Sequence, residues 1–208
     1  MSYRTIVLPF TIYDDEARLL FNTAILWRTD ALHILESIKT LGEHELKTPL
    51  KKFKVKYYRE AYKFIPNKNY AESCCELVYE IGKSYLSLKE YWRKKLGREL
   101  PVKLEDIKLS DWIMFKSRGD KYTKGNPNIR LLDMEHVRVK VFDMDRRDYF
   151  IELWVGKPKS RRYRYILEEL IELVNDRQVG YNARVYIRDA FEDVKGEVQV
   201  ALPYNIYA

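Results

Sequence analysis

Three features of the sequence predict an α+β fold in which a helical bundle interrupts a mainly antiparallel β domain. Asp14 to Leu41 repeats apolar residues at helical spacing, and two further helical stripes follow before Pro101. Beyond Pro101 come short β-branched and aromatic runs separated by turn residues. One such run also precedes the first helix, so a single strand stands apart from its partners. A β domain split by a helical insertion of about residues 14–98 accounts for that order, with 1–13 and 99–208 forming the β part.

The chain opens on Arg4-Thr5-Ile6-Val7-Leu8, a β run closed by Pro9, with Phe10 to Tyr13 a possible extension. In the first helix Leu20, Ala24, Trp27, Ala31, Ile34 and Ile38 recur at alternating steps of four and three, and Leu35 widens the stripe. Asp14 suits the cap, Asp15 and Glu16 the positive end of the helix dipole, and Gly42 the stop. At about 1.5 Å per residue the rod is roughly 42 Å long, and it needs partner helices to cover its stripe.

A second helix is expected from Leu50 to Ile65, ended by Pro66. Phe53, Tyr57, Ala61 and Phe64, with Tyr58, lie on one side, and Lys51, Lys52, Lys56, Arg59 and Lys63 lie around the other. Asn67 or Asn69 caps a third helix from about Tyr70 to Lys95, whose inward side carries Cys74, Leu77, Val78, Ile81, Tyr85, Leu88, Tyr91 and Trp92. Three such helices with short connections make a bundle.

The β texture resumes at Val102 to Leu109 and Trp112 to Phe115, followed by the polar loop Lys116 to Asn128. His136 to Phe142 alternates almost strictly and reads as a hairpin with Tyr149 to Val155 across an Asp143–Asp148 turn. Tyr163 to Val174 is a short extra amphipathic helix. Strands return at Tyr181 to Ile187 and Gly196 to Leu202.

The 208 residues carry a net charge of +7, and the excess is clustered. Lys47, Lys51, Lys52, Lys54, Lys56, Arg59, Lys63 and Lys68 face one acid, Glu60, in their stretch. Smaller clusters lie at Arg93-Lys94-Lys95, at Lys116 to Lys124 and in Lys157 to Arg164, whereas acids dominate from Glu168 to Glu197. Such segregation, interleaved with tyrosines, favours a polyanionic partner. Scarce glutamine among abundant Lys, Glu, Tyr and Val has a thermophilic flavour.

Other chemistries lack their residues. No apolar run of about 18 exists, and MSYRTIVLPF has no signal-peptide core, so the reading is a cytosolic protein without membrane contact. Cys74 and Cys75 are adjacent, which disfavours a mutual disulfide, and they sit on an apolar helix face as small hydrophobes. His33, His44 and His136 are scattered, so neither a zinc site nor another cofactor is expected. No GxSxG, GxGxxG or GxxxxGK spacing occurs. Asp143 and Asp145 are the local carboxylates closest to a metal-nuclease pair, and their setting with Arg146, Arg147 and Asp148 reads as a turn.

The order of elements, with the words Leu19-Leu20-Phe21-Asn22-Thr23-Ala24-Ile25-Leu26-Trp27 in the first helix and Gly82-Lys83-Ser84-Tyr85 in the third, resembles the N-terminal part of TnpB (OrfB) transposon proteins. Those are RNA-guided nucleases related to type V CRISPR effectors. The resemblance implies that residues 14–98 are like the helical recognition (REC) domain and the remainder like the wedge domain, a small β-barrel. It further implies guide RNA and a target DNA duplex as partners. The RuvC carboxylates and zinc cysteines of that family are not in this sequence, so the expected role is binding without catalysis. The alternatives are a protein-interaction module with no nucleic-acid role and a fragment of a longer RuvC nuclease.

Candidate binding residues follow. Lys51, Lys52, Lys56, Arg59, Lys63, Arg161 and Arg162 are placed for phosphates. Lys68, Asn69, Glu72 and Ser73 begin the third helix, where free N–H groups and side chains can meet DNA. The resemblance puts recognition of a target-adjacent motif at this helix start, carried by a lysine and a glutamine four residues apart. Lys68 matches the lysine and Glu72 replaces the glutamine, which alters the expected base preference. Tyr122 and Tyr163, flanked by cations, are stacking candidates, whereas Trp27, Trp92, Trp112 and Trp154 are expected in the core.

Overall fold

The computed structural model describes residues 4–203. Among the described residues four α-helices and seven strands run in the order β1 (Thr5–Ile12), α1 (Asp14–Leu41), α2 (Leu50–Ala61), α3 (Lys68–Tyr91), β2 (Ile113–Ser117), β3 (Ile129–Leu131), β4 (His136–Phe142), β5 (Asp148–Trp154), α4 (Arg161–Asn175), β6 (Asn182–Asp189) and β7 (Val194–Ala201). The architecture is α+β with two antiparallel sheets, ordered β1-β7-β6-β2 and β3-β4-β5. Two compact units divide the chain, Met1–Leu26 with Trp112–Ala208 and Trp27–Asp111, so that α1 is shared between them.

In the β unit, β1 pairs along its whole length with β7, from Thr5 opposite Ala201 to Ile12 opposite Val194. The first strand therefore belongs with the last, as a split β domain requires. Pro9 sits within β1 rather than closing it. That is tolerable because β1 is an edge strand, and the Pro9 carbonyl accepts from Gly156 N at 2.7 Å. Ile6, Leu8, Phe10 and Ile12 alternate inward against Val198, Val200, Val185 and Phe115.

The strands do not close into a hydrogen-bonded barrel among the described residues, which corrects the barrel expectation. One isolated bridge, Phe10 to Val155, joins the two sheets at one edge. At the other edge a buried polar knot replaces strand pairing. Asn126 donates to the carbonyls of Ser117 (3.1 Å) and Tyr181 (3.0 Å), while its own oxygen accepts from Ile129 N (2.9 Å) and Ser117 Oγ (2.7 Å). The Tyr181 hydroxyl accepts from Leu131 N (2.7 Å) and donates to Ile129 O (2.8 Å). These bonds satisfy backbone groups that a neighbouring strand would otherwise take.

In the helical unit, Phe53, Tyr57 and Ala61 of α2 and Tyr70, Cys74, Cys75 and Val78 of α3 are buried together with Ala31, Ile34, Leu35 and Ile38 of α1. Each large apolar side chain so covered contributes about 1.5–3 kcal/mol of transfer free energy. Trp27 donates to Tyr70 O (3.1 Å) and Ser73 Oγ (3.0 Å), tying α1 to the first turns of α3. Gly82 lets the Leu46 side chain lie against the α3 backbone, where a Cβ would collide with it.

Several local expectations need correction. α2 stops at Ala61, and Tyr62 to Ile65 continue as turns, so Lys63 follows the helix rather than lying in it. Leu88 and Tyr91 are exposed rather than inward, and α3 leaves its regular form in a π-helical turn, Trp92–Leu96, ended by Gly97 at φ 60°. Val102 to Leu109 is not a strand. Its centre is a 3-10 turn, Leu104–Asp106, fixed by the Asp106 carboxylate accepting from Lys103 N at 2.9 Å. β3, at three residues, carries too little alternation to mark a strand in the sequence. Trp112 and Trp154 are exposed, at 55% and 70%, not core residues. Trp154 holds an outward position of β5, alternating with buried Ile151, Leu153 and Val155.

Among the described residues no helix is long and apolar enough to cross a membrane, and no cluster of metal-ligating side chains occurs.

Candidate nucleic-acid interface

The basic surface of the helical unit is built on α2. Residues 52, 56 and 59 recur at steps of four and three, which on a helix falls within one narrow stripe, and Lys63 follows in the turn after it. Phe53, Tyr57 and Ala61 occupy the buried side. Lys51, Lys52, Lys56, Arg59 and Lys63 are all exposed.

The structure separates these cations by what they already hold. Lys51, Lys52, Arg59 and Lys63 have no ion-pair or hydrogen-bond partner among the described residues. Lys56 instead donates to Glu45 Oε2 at 2.6 Å, and the Tyr57 hydroxyl donates to the same oxygen at 2.7 Å. The Lys56 hydrogen bond, with help from Tyr57, holds the nearly buried Glu45 carboxyl below the usual carboxylate range. Burial, then Glu45, pushes the Tyr57 phenol up. Lys54 is likewise engaged, 2.7 Å from Glu76 and 3.7 Å from Glu72. The stripe thus has uncommitted positive ends and a braced centre, which fits phosphate contacts better than a uniform row.

At the start of α3, Asn67 caps the helix by accepting from Tyr70 N at 3.0 Å. Lys68 is exposed and Asn69 half-buried in the first turn. Glu72 lies between two cations, 3.8 Å from Lys68 and 3.7 Å from Lys54, so it faces α2 and is not a fully solvated side chain. Ser73 is corrected outright. It is buried, donates to Tyr70 O at 2.8 Å and accepts from Trp27, so its hydroxyl serves the core.

The tyrosines interleaved with this basic run include Tyr58, expected on the inner side, and Tyr62. Tyr58 is half-buried and Tyr62 43% exposed, their ring centroids 6.0 Å apart, with Lys68 Nζ 5.5 Å from the Tyr58 ring. Their i, i+4 spacing beside Lys68 was the available signal.

The other candidates lie in the β unit. Tyr122 is 72% exposed with Lys121 Nζ 4.9 Å from its ring, held in a 3-10 turn by Asp120 accepting from Tyr122 N. Arg161 and Arg162 are exposed at the start of α4 and Tyr163 is half-buried beside them. Arg161 is spent in part on the Tyr165 hydroxyl at 3.1 Å. The Tyr122 loop lies near Val174 at the opposite end of α4, because Gly125 packs against Val174 and Tyr181. Thirteen residues of helix, about 20 Å, therefore separate the two groups along α4.

Asp143 and Asp145 keep their turn assignment. Asp143 accepts from Arg147 N (2.9 Å) and the Tyr149 hydroxyl (3.2 Å), and Asp145 is exposed. Cys74 and Cys75 are free and buried; burial pushes the Cys74 thiol up and the Cys75 thiol to about 12.

Fold and surface together define a two-unit α+β protein whose helical unit presents a basic stripe. The SSO2105 N-terminal domain family matches residues 5–208, and the chain belongs to that family. It is similar to two proteins of Aeropyrum pernix, each described as an uncharacterized protein, at 28% and 27% identity over its whole length. The chain spans about half the length of these curated relatives, 46% and 51%.

Proposed function

We propose that this chain is a nucleic-acid-binding module, comparable to the REC and wedge domains of TnpB-type proteins, which holds guide RNA and a target DNA duplex without cutting either. The observation that carries the reading is the α2 stripe. Lys51, Lys52 and Arg59 are exposed and uncommitted on a helix whose opposite side is fixed in the core, and Lys63 is exposed and uncommitted in the turn that follows it. Four cations in that arrangement meet a phosphate backbone at little ordering cost beyond their own side chains. Lys68 and Asn69 extend the surface to a capped helix start, and the Tyr58–Tyr62 pair adds aromatic faces beside them. The comparison with wedge domains rests on the same order of elements, with a first strand returning to pair with the last.

A gel-shift titration of the intact chain with a duplex DNA and a structured RNA tests the reading. The Lys51→Glu, Lys52→Glu, Arg59→Glu, Lys63→Glu variant is expected to lose binding to both while melting as the parent does. Equal binding by parent and variant would remove α2 from the interface, and no binding by the parent would favour a protein-interaction role.

A further inference from the structure

We propose that the outward face of the β1-β7-β6-β2 sheet is a second site, which binds single-stranded RNA. The inference rests on the nucleic-acid reading above but uses a surface wholly within the β unit.

Register defines the face. Lys116, Arg184, Gln199 and Val7 fall in one row across the four strands, and Met114, Tyr186, Glu197 and Pro9 in the next, where Met114 and Glu197 are buried. Their chain neighbours Val185, Val198 and Leu8 point into the core. Within these two rows and the adjoining Arg188 the cations outnumber the acids, since Glu197 is the sole carboxylate. Lys195, further along, stands opposite Asp189 beyond the bulge of β6 and adds no excess.

Glu197 is the informative residue. It is 7% exposed on the solvent side of a sheet, a costly place for a carboxylate if stability were its whole purpose. Arg188 Nη2 bonds both its oxygens at 3.1 Å, and Gln199 Nε2 donates to it at 2.6 Å. The Gln199 oxygen in turn accepts from Arg184 Nε. One carboxylate and one amide thus hold two guanidinium groups in place on either side of Tyr186. Among the described residues Arg188 uses only Nη2, and its side chain is 64% exposed. Arginines already fixed by a second layer lose little freedom on meeting phosphate.

Aromatic faces complete the platform. The Arg188 guanidinium lies 6.0 Å from the Tyr186 ring centroid, and the half-exposed Trp112 stands edge-on to Tyr186 at 6.0 Å. A sheet face can stack unpaired bases but offers no helix or ribbon to enter a duplex groove, which selects a single strand. The exposed Thr11 hydroxyl, opposite Lys195, supplies a hydrogen-bonding group for a ribose 2′-OH and favours RNA.

Fluorescence anisotropy of the intact chain with labelled oligouridine, oligothymidine of equal length and a duplex DNA tests this site. Trp112→Leu with Tyr186→Leu keeps apolar cover and removes the ring faces. Lys116→Gln with Arg184→Gln leaves the Arg188–Glu197 pair whole. Each double variant is expected to weaken oligouridine binding about tenfold or more and duplex binding by less than about twofold. The α2 quadruple variant is expected to do the reverse. Oligouridine affinity unchanged in both double variants, with melting as in the parent, would overturn the site. Oligothymidine bound as tightly as oligouridine would overturn the RNA assignment. Duplex binding through α2 without RNA binding would sink this inference alone, whereas no binding to any probe would sink the nucleic-acid reading itself.

Discussion

Glu45→Gln is the perturbation most sharply defined by the structure. Glu45 is 8% exposed and takes hydrogen bonds on Oε2 from Tyr57 and Lys56. The amide keeps an acceptor, so the loss is that of charge rather than of the whole contact. Exchanging a charge-assisted bond from buried Tyr57 for a neutral one costs about 1 kcal/mol. The Lys56 side chain is 51% exposed, so solvent screening holds its share to at most about 1 kcal/mol. The sum is about 1–2 kcal/mol at neutral pH. Its pH dependence has a definite sign. The folded carboxyl titrates below the ordinary 4.5, so the stabilisation is complete above that value and fades as pH falls through the lowered folded value. Urea unfolding of parent and variant, followed by far-UV circular dichroism of the helical transition, should show the difference near pH 7. It should shrink as the pH is taken down through the lowered folded value. A difference that persists undiminished in acid, or is absent at neutrality, would refute the assignment of Glu45 as the brace beneath α2.

Other consequences are as direct. Lys56→Gln should lower stability by up to about 1 kcal/mol yet weaken duplex binding less than Lys52→Gln does, as melting and anisotropy on the two variants would register. Tyr181→Phe leaves Leu131 N and Ile129 O without their buried partner, and should destabilise the β unit by about 2–3 kcal/mol in denaturant titration. Cys74 and Cys75 should resist a thiol reagent near pH 8 in the folded protein and react fully in denaturant. Asp143→Ala should reduce stability, by loss of the turn bond to Arg147, and a metal-dependent nuclease assay should give the same result for variant and parent.

Much of the fold was legible because periodicity reports burial. α1 runs from Asp14 to Leu41, as its stripe and flanking residues predict, and β4 spans His136 to Phe142 as its alternation predicts. Burial set by tertiary contact was not legible. Ser73 is polar at a helix start, yet Trp27 reaches it from forty-six residues away. Trp154 shares the hydrophobicity of Leu153, and only the parity of β5 turns it outward. The same limit applies to the basic stripe, whose charge is plain in the sequence. Which lysines are already spoken for depends on Glu45 and Glu76, and no spacing rule brings those acids to α2. The Arg184–Gln199–Glu197–Arg188 chain needed the β6–β7 register before it could be seen at all.

The central claim is that the α2 stripe grips a phosphate backbone, and salt dependence measures that most directly. Affinity for a duplex DNA, taken across a range of salt for the parent and for Lys51→Gln, Lys52→Gln, Arg59→Gln, Lys63→Gln, gives two slopes of log affinity against log salt. The parent slope should be steep, and the variant should lose about 0.9 for each phosphate contact removed, up to about 3–4 in all. Two equal slopes would contradict the claim.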